Sequence, residues 1–134
     1  MIGNYSEFDS PAPLHRRQTG DLQCNLARLK IISDVASAET LISQLNTTDL
    51  STASSVAVAQ AGLKSVGDGI QAILLAVFSG QTAPASSRDQ VGMGLATAQK
   101  ALATITDANA TVTQAQAKLT SATNDGNDVV SECK

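Results

Sequence analysis

The chain has 134 residues, a net charge of −3, 43% hydrophobic and only 2% aromatic residues, enough for one domain with a modest core of small side chains. Its scattered Lys and Arg supply no basic surface for nucleic acid or an anionic membrane. Its most apolar run, 70–78, falls far short of the roughly 20 residues that a membrane span needs.

Residues 1–20 carry Gly, Pro, Ser and mixed charges without periodicity. They read as a disordered leader, either a pro-segment or an expression remnant. No apolar signal segment is visible there, and the expectation is that a secretion signal has been removed or replaced. The run His15-Arg16-Arg17-Gln18 has the form of a dibasic processing site.

Residues 21–134 read as a four-helix bundle. Helix one is expected from about Asp21 to Leu45, with Asp21 as a plausible N-cap. Its apolar stripe is Ile31, Val35, Ala38, Ile42 and Leu45. Residues 46–49 form a loop in which Thr48 or Asp49 caps helix two. That helix carries Val56, Ala59, Leu63, Val66, Ile70, Ile73 and Val77 and stops at Gly80. Pro84 suits the first turn of helix three, striped by Val91, Leu95, Ala98, Leu102 and Ile105. Thr106 or Asp107 is the expected cap of helix four, whose stripe is Val112, Ala115, Leu119, Ala122, Gly126 and Val129. A 4-3 apolar spacing places one narrow stripe on one helix face, which must be buried against other helices. Short connections make the expected fold an all-α, antiparallel up-down bundle.

Stepping back seven residues from Ile31 reaches Cys24, and stepping on four from Val129 reaches Cys133. In an up-down bundle these two ends are neighbours, so a Cys24–Cys133 disulfide is expected. It closes a loop worth about 4–5 kcal/mol in the chain-entropy model and implies an oxidising compartment. An internal repeat of two hairpins is also expected. A shift of 60 takes Arg28 to Arg88 and Ile31 to Val91, a shift of 58 takes Thr48-Asp49 to Thr106-Asp107, and a shift of 56 takes Leu63 to Leu119.

Three sequons begin at Asn4, Asn46 and Asn109. Asn46 and Asn109 fall in expected loops at the end opposite the cysteines and are glycosylation candidates.

Catalysis requires tuned groups held together. The only His is His15, in the leader, so the expectation is no enzyme, with no catalytic residues, no metal site and no cofactor. The run 124–128 contains Asp125 and Asp128 but lacks the spacing of a calcium loop and lies within the fourth stripe; a helix interruption or a tight spot is expected there. Gly62, Gly67, Gly69, Gly92 and Gly94 weaken helices two and three, and close helix approach is favoured over a bundle that opens around a ligand. In segment 70–78 the stripe leaves Leu75 and Phe78 over, and part of Leu74. They are expected to lie in the core or under the next connector. The competing reading is an exposed patch of Leu74, Leu75 and Phe78 that binds something apolar.

The segments Leu22-Gln23-Cys24-Asn25, 79–91 and 126–134 give the chain a likeness to small secreted proteins of filamentous fungi. Over roughly residues 22–134 it resembles the hydrophobic surface-binding protein A and cell-wall mannoprotein family. That resemblance implies a helical, secreted protein that binds apolar surfaces or lipids. The chain departs from that family in its terminal cysteines and smaller, Ala-rich core. Proteins of this style also resemble candidate effectors released into plant tissue, with virulence as the implied setting. The functional expectation is thus a secreted, effector-like or cell-wall-associated interaction protein acting on a host or wall component. The alternative is a lipid or hydrophobic-surface binder. The expected state is a monomer without nucleic-acid partners or a membrane span.

Overall fold

The structure is a computed structural model that describes the backbone of residues 11–106 and 109–133, and side chains from residue 22 onward within those ranges. Among them are four helices and no strand: α1 (Pro11–Ser43), α2 (Leu50–Phe78), α3 (Ala85–Ala103) and α4 (Ala110–Glu132). The leader's first ten residues, with Asn4, lie outside the described residues, as do Asp107 and the side chains of His15, Arg16, Arg17 and Asp21.

Two helix starts differ from expectation. α1 begins at Pro11 rather than near Asp21, so it takes in half of the segment assigned to the leader. Proline is tolerated in a first turn because that N–H has no helical partner, and no further proline follows Pro13 in α1. α4 is capped by Asn109, whose side-chain oxygen accepts the Thr111 N–H, and Thr106 lies outside the helix. Several capping-type residues stand close together here, and the one with the best geometry wins. α4 then continues through residues 124–128 to Glu132, so the expected interruption is absent.

The other ends follow the sequence closely. Asp49 caps α2 by accepting the Ser51 N–H at 3.1 Å. Gly80 ends it with φ 75°, a left-handed conformation that costs glycine little. The Gly80 N–H then donates to the Val77 carbonyl and that of Gln81 to the Ala76 carbonyl, a Schellman ending. Pro84 sits one residue before α3, at its N-cap.

The four stripes form the core. Ala38, Ile42, Ala59, Val66, Ala98, Leu102, Ala115, Leu119 and Ala122 are fully enclosed. Ile70, Ile73, Ile105 and Val129 pack against this core but remain only partly buried. α1 lies along α4 and α2 along α3, while the two pairs touch each other more sparingly. The Cys24–Cys133 disulfide joins the start of α1 to the end of α4, with Cα atoms 4.8 Å apart. Further along that pair, Ser121 Oγ donates to Asp34 at 2.7 Å. In the other pair Ser55 bonds Thr104 at 2.6 Å and Gln90 donates to the Ser65 carbonyl at 3.1 Å.

The glycines divide into two groups. A methyl on Gly94 would stand 2.5 Å from the Gly62 carbonyl oxygen, and one on Gly62 would stand 2.8 Å from that of Gly94. Gly69 likewise faces Val91 and the Ser87 carbonyl. These three let two backbones approach where any side chain would hold them apart. Gly67 and Gly92 have open space around them. Close approach therefore explains three of the five, and the other two only lower helix propensity.

α2 also qualifies a sequence expectation. Over 18 residues its mean hydropathy reaches 1.3, so by length and composition it could cross a membrane. Here 28% of that stretch is buried, and Leu63, Val66 and Gly69 are among the residues of α2 that face the bundle.

Two stability predictions follow from this packing. Gly94→Ala should destabilise the protein by about 1–3 kcal/mol through overpacking, whereas Gly67→Ala and Gly92→Ala should stabilise it by about 0.5–1 kcal/mol each. Urea unfolding followed by circular dichroism separates the two signs; equal effects at all three positions would refute the division. Reducing the disulfide, which spans 109 positions, should lower stability by about 4–5 kcal/mol. Unfolding with and without reductant, alongside thiol labelling in denaturant, measures that loss.

Candidate interaction surface

The last two turns of α2 contain no charged residue. Gly80, in the left-handed region, ends the helix, and the Gln81 N–H donates back to the Ala76 carbonyl. Leu75 is 61% exposed and Phe78 84%, while Leu74 is half-buried. The expectation that Leu75 and Phe78 are covered is therefore corrected, for a local reason. Neither belongs to the buried face of α2, which runs through Val56, Ala59, Leu63 and Val66.

A second apolar strip escaped the sequence reading. Leu22, Leu26 and Leu29 of α1 are 57%, 43% and 60% exposed, and Val130 of α4 is 66% exposed. The leucines are spaced i, i+4, i+7, which aligns them on one helix face. Ile31, Val35 and Ala38 already claimed α1's inward face, so a parallel outer stripe was there to be noticed. These residues flank the disulfide between Cys24 and Cys133. Monomeric proteins rarely expose contiguous apolar area beyond a few hundred Å² without an interaction role.

The interior offers no comparable site. Two shallow grooves are open to solvent. One lies between α1 and α4, lined by Ser37, Thr40, Leu41, Gln114 and Lys118; the other lies between α2 and α3, around Ser55, Val58, Lys100 and Thr104. Neither is an enclosed lipid cavity. Among the described residues no group of His, Cys, Asp and Glu is placed to hold a metal ion.

One polar cluster does stand out. Asp125 of α4 is 93% buried, being 7% exposed, and its Oδ2 has no hydrogen-bond donor. Its neighbour across the helix pair is Asp34, which accepts from Ser121. Burial first, then the Asp34 carboxyl, push Asp125 up to about 6. For Asp34 burial acts upward, but the hydrogen bonds with Asp125 and Ser121 and the charges of Lys118 and Lys30 hold it below its ordinary value. The sequence reading missed this pair because the two residues are far apart along the chain and neither helix alone shows why an acid should be inside.

Asn46 and Asn109 are both exposed, and each side-chain oxygen accepts the backbone N–H of the threonine two positions on, Thr48 at 3.0 Å and Thr111 at 2.8 Å. No family model, curated protein or solved structure matches the chain.

Proposed function

We propose that this is a secreted, non-enzymatic interaction protein that works through an apolar end. The bundle is read as an antiparallel up-down arrangement. In support, residues of rising number in α2 meet residues of falling number in α3, from Ser55 with Thr104 to Ser65 with Gln90. The connection 44–49 reaches only about 20–25 Å, too short to return along the 29 residues of α2, about 43 Å at 1.5 Å per residue. In this topology the end of α2 and the disulfide share one pole. Leu75 and Phe78 then join Leu22, Leu26, Leu29 and Val130 there, and Asn46 and Asn109 stand at the far pole as glycosylation candidates.

The two-hairpin repeat belongs to the same proposal. Its support is a single shift of 60 in place of the three shifts read from sequence. It takes the cap Asp49 to the cap Asn109, and buried Thr52, Ala59 and Gly62 to buried Val112, Leu119 and Ala122.

The observation that carries the functional reading is the exposure of Leu75, Phe78 and the α1 leucines, in a protein that buries other large apolar side chains, Ile42, Leu63, Leu102 and Leu119, in its core. The disulfide is compatible with an extracellular setting, and the likeness to small secreted fungal proteins supports reading the partner as a host or cell-wall component. Within that class, exposed Leu75 and Phe78 favour a partner with an apolar face, whether a hydrophobic wall surface or lipid. No catalytic role is assigned.

Leu75→Ser/Phe78→Ser should fold with unchanged stability, because neither side chain is in the core. It should lose adsorption to a hydrocarbon-coated surface and to lipid vesicles by tenfold or more, given about 1.5–3 kcal/mol for each buried side chain of this size. Binding measured by depletion from solution tests this; unchanged adsorption by the double variant removes the apolar end from the proposal.

A further inference from the structure

Asp125 and Asp34 face each other between α1 and α4, on the interface that the disulfide closes. Asp125 is the more buried of the two, and its Oδ2 lacks a donor. Asp34 is partly open and is engaged by Ser121 Oγ at 2.7 Å. Two carboxylates this close cannot both ionise at low cost, whereas one proton between them supplies the donor that Asp125 lacks. The other charges acting on the pair are Lys30 from α1 and Lys118 and Asp128 from α4 itself. Arg88 and Asp89, at the start of α3, are exposed and are not among the groups acting on Asp125.

We propose that Asp34 and Asp125 form a proton-sharing clasp, which holds α1 against α4 in mildly acid solution and weakens as the medium becomes neutral. The folded protein takes up a proton that the unfolded chain releases.

The direction follows from linkage. Asp125 rises from 3.8 to about 6 on folding, so its stabilising effect is complete below the unfolded value and is lost as pH climbs through 6. Asp34 is lowered, so its own contribution is present above 3.8 and disappears as acid protonates it. Together they place the optimum of this interface below about pH 6 and above the lowered value of Asp34. A rise from 3.8 to about 6 corresponds to roughly a hundredfold change in the folding equilibrium constant.

The test uses the oxidised full chain with His15→Gln, which removes the one imidazole titrating in the same window. Urea unfolding from pH 4.5 to 8 should show the folding constant falling by about 25-fold, the part of the hundredfold change that lies above pH 4.5. Asp125→Asn keeps a neutral donor toward Asp34, so it should change less than threefold over that range and be the more stable protein at pH 8. Asp128→Asn should retain the parent slope. An Asp125→Asn protein with the parent slope, or a parent more stable at pH 8 than at pH 4.5, overturns the clasp. Carboxyl-carbon NMR of the parent decides the matter independently of how any variant folds. One aspartate with a midpoint near 6 supports the clasp, and midpoints all below 5 refute it.

Discussion

Small side chains at the helix contacts govern how this bundle is built. Ala and Val stand beside Leu and Ile in the core, and at the α2–α3 contact Gly62, Gly69 and Gly94 let the helices come close, so that dispersion and apolar burial are gained by close approach. Gly62 and Gly94 mark the limit, with each glycine's missing side chain occupied by the other's carbonyl oxygen. Such a seam is dense but thin. The disulfide supplies part of what a bulkier core would have given, by restricting the unfolded chain over 109 positions. The same economy explains the lack of an interior site, since closely packed backbones leave no room for an enclosed apolar ligand.

That interior changes the meaning of the surface. Exposed leucines are ordinary when a protein has more apolar residues than its core can hold. Here Ile42, Leu63, Leu102 and Leu119 fill the core together with alanines, while Leu22, Leu26, Leu29, Leu75 and Phe78 stay outside. No larger interior competes for them, and several flank one short stretch of the bundle. The sequence also offers no nearby charge on α2 after Asp68 to interrupt the surface.

The legible parts of the structure were those governed by local rules. The 4-3 spacing identified the buried faces, Asp49 and Gly80 announced the ends of α2, and the stripe register paired the cysteines. Where local signals competed, the reading slipped. Thr106 and Asn109 both suit an N-cap, and only the path of the chain selects between them. The leader's prolines suggested irregular chain, yet both fall in the first turn of α1, where they are allowed. Leu75 and Phe78, left over by the stripe, were expected in the core or under the next connector, and whether a connector covers a side chain is not written in the helix's own periodicity. Asp125 needed the partner helix, because an acid beside an apolar stripe looks like a solvated edge until Asp34 is placed opposite.

The two helix pairs also differ in a way that periodicity does not reveal. Under the proposed shift of 60, Asp34 corresponds to Gly94, and Gly62 to Ala122. In one pair this level of the bundle is a contact of backbones without side chains; in the other it carries a hydrogen-bonded acid. A glycine contact is insensitive to solution conditions, while an acid pair responds to protons. The α2–α3 pair is therefore the constant element, and the α1–α4 pair the responsive one. Because the chain ends of the responsive pair are bonded through Cys24 and Cys133, loss of the shared proton cannot part them.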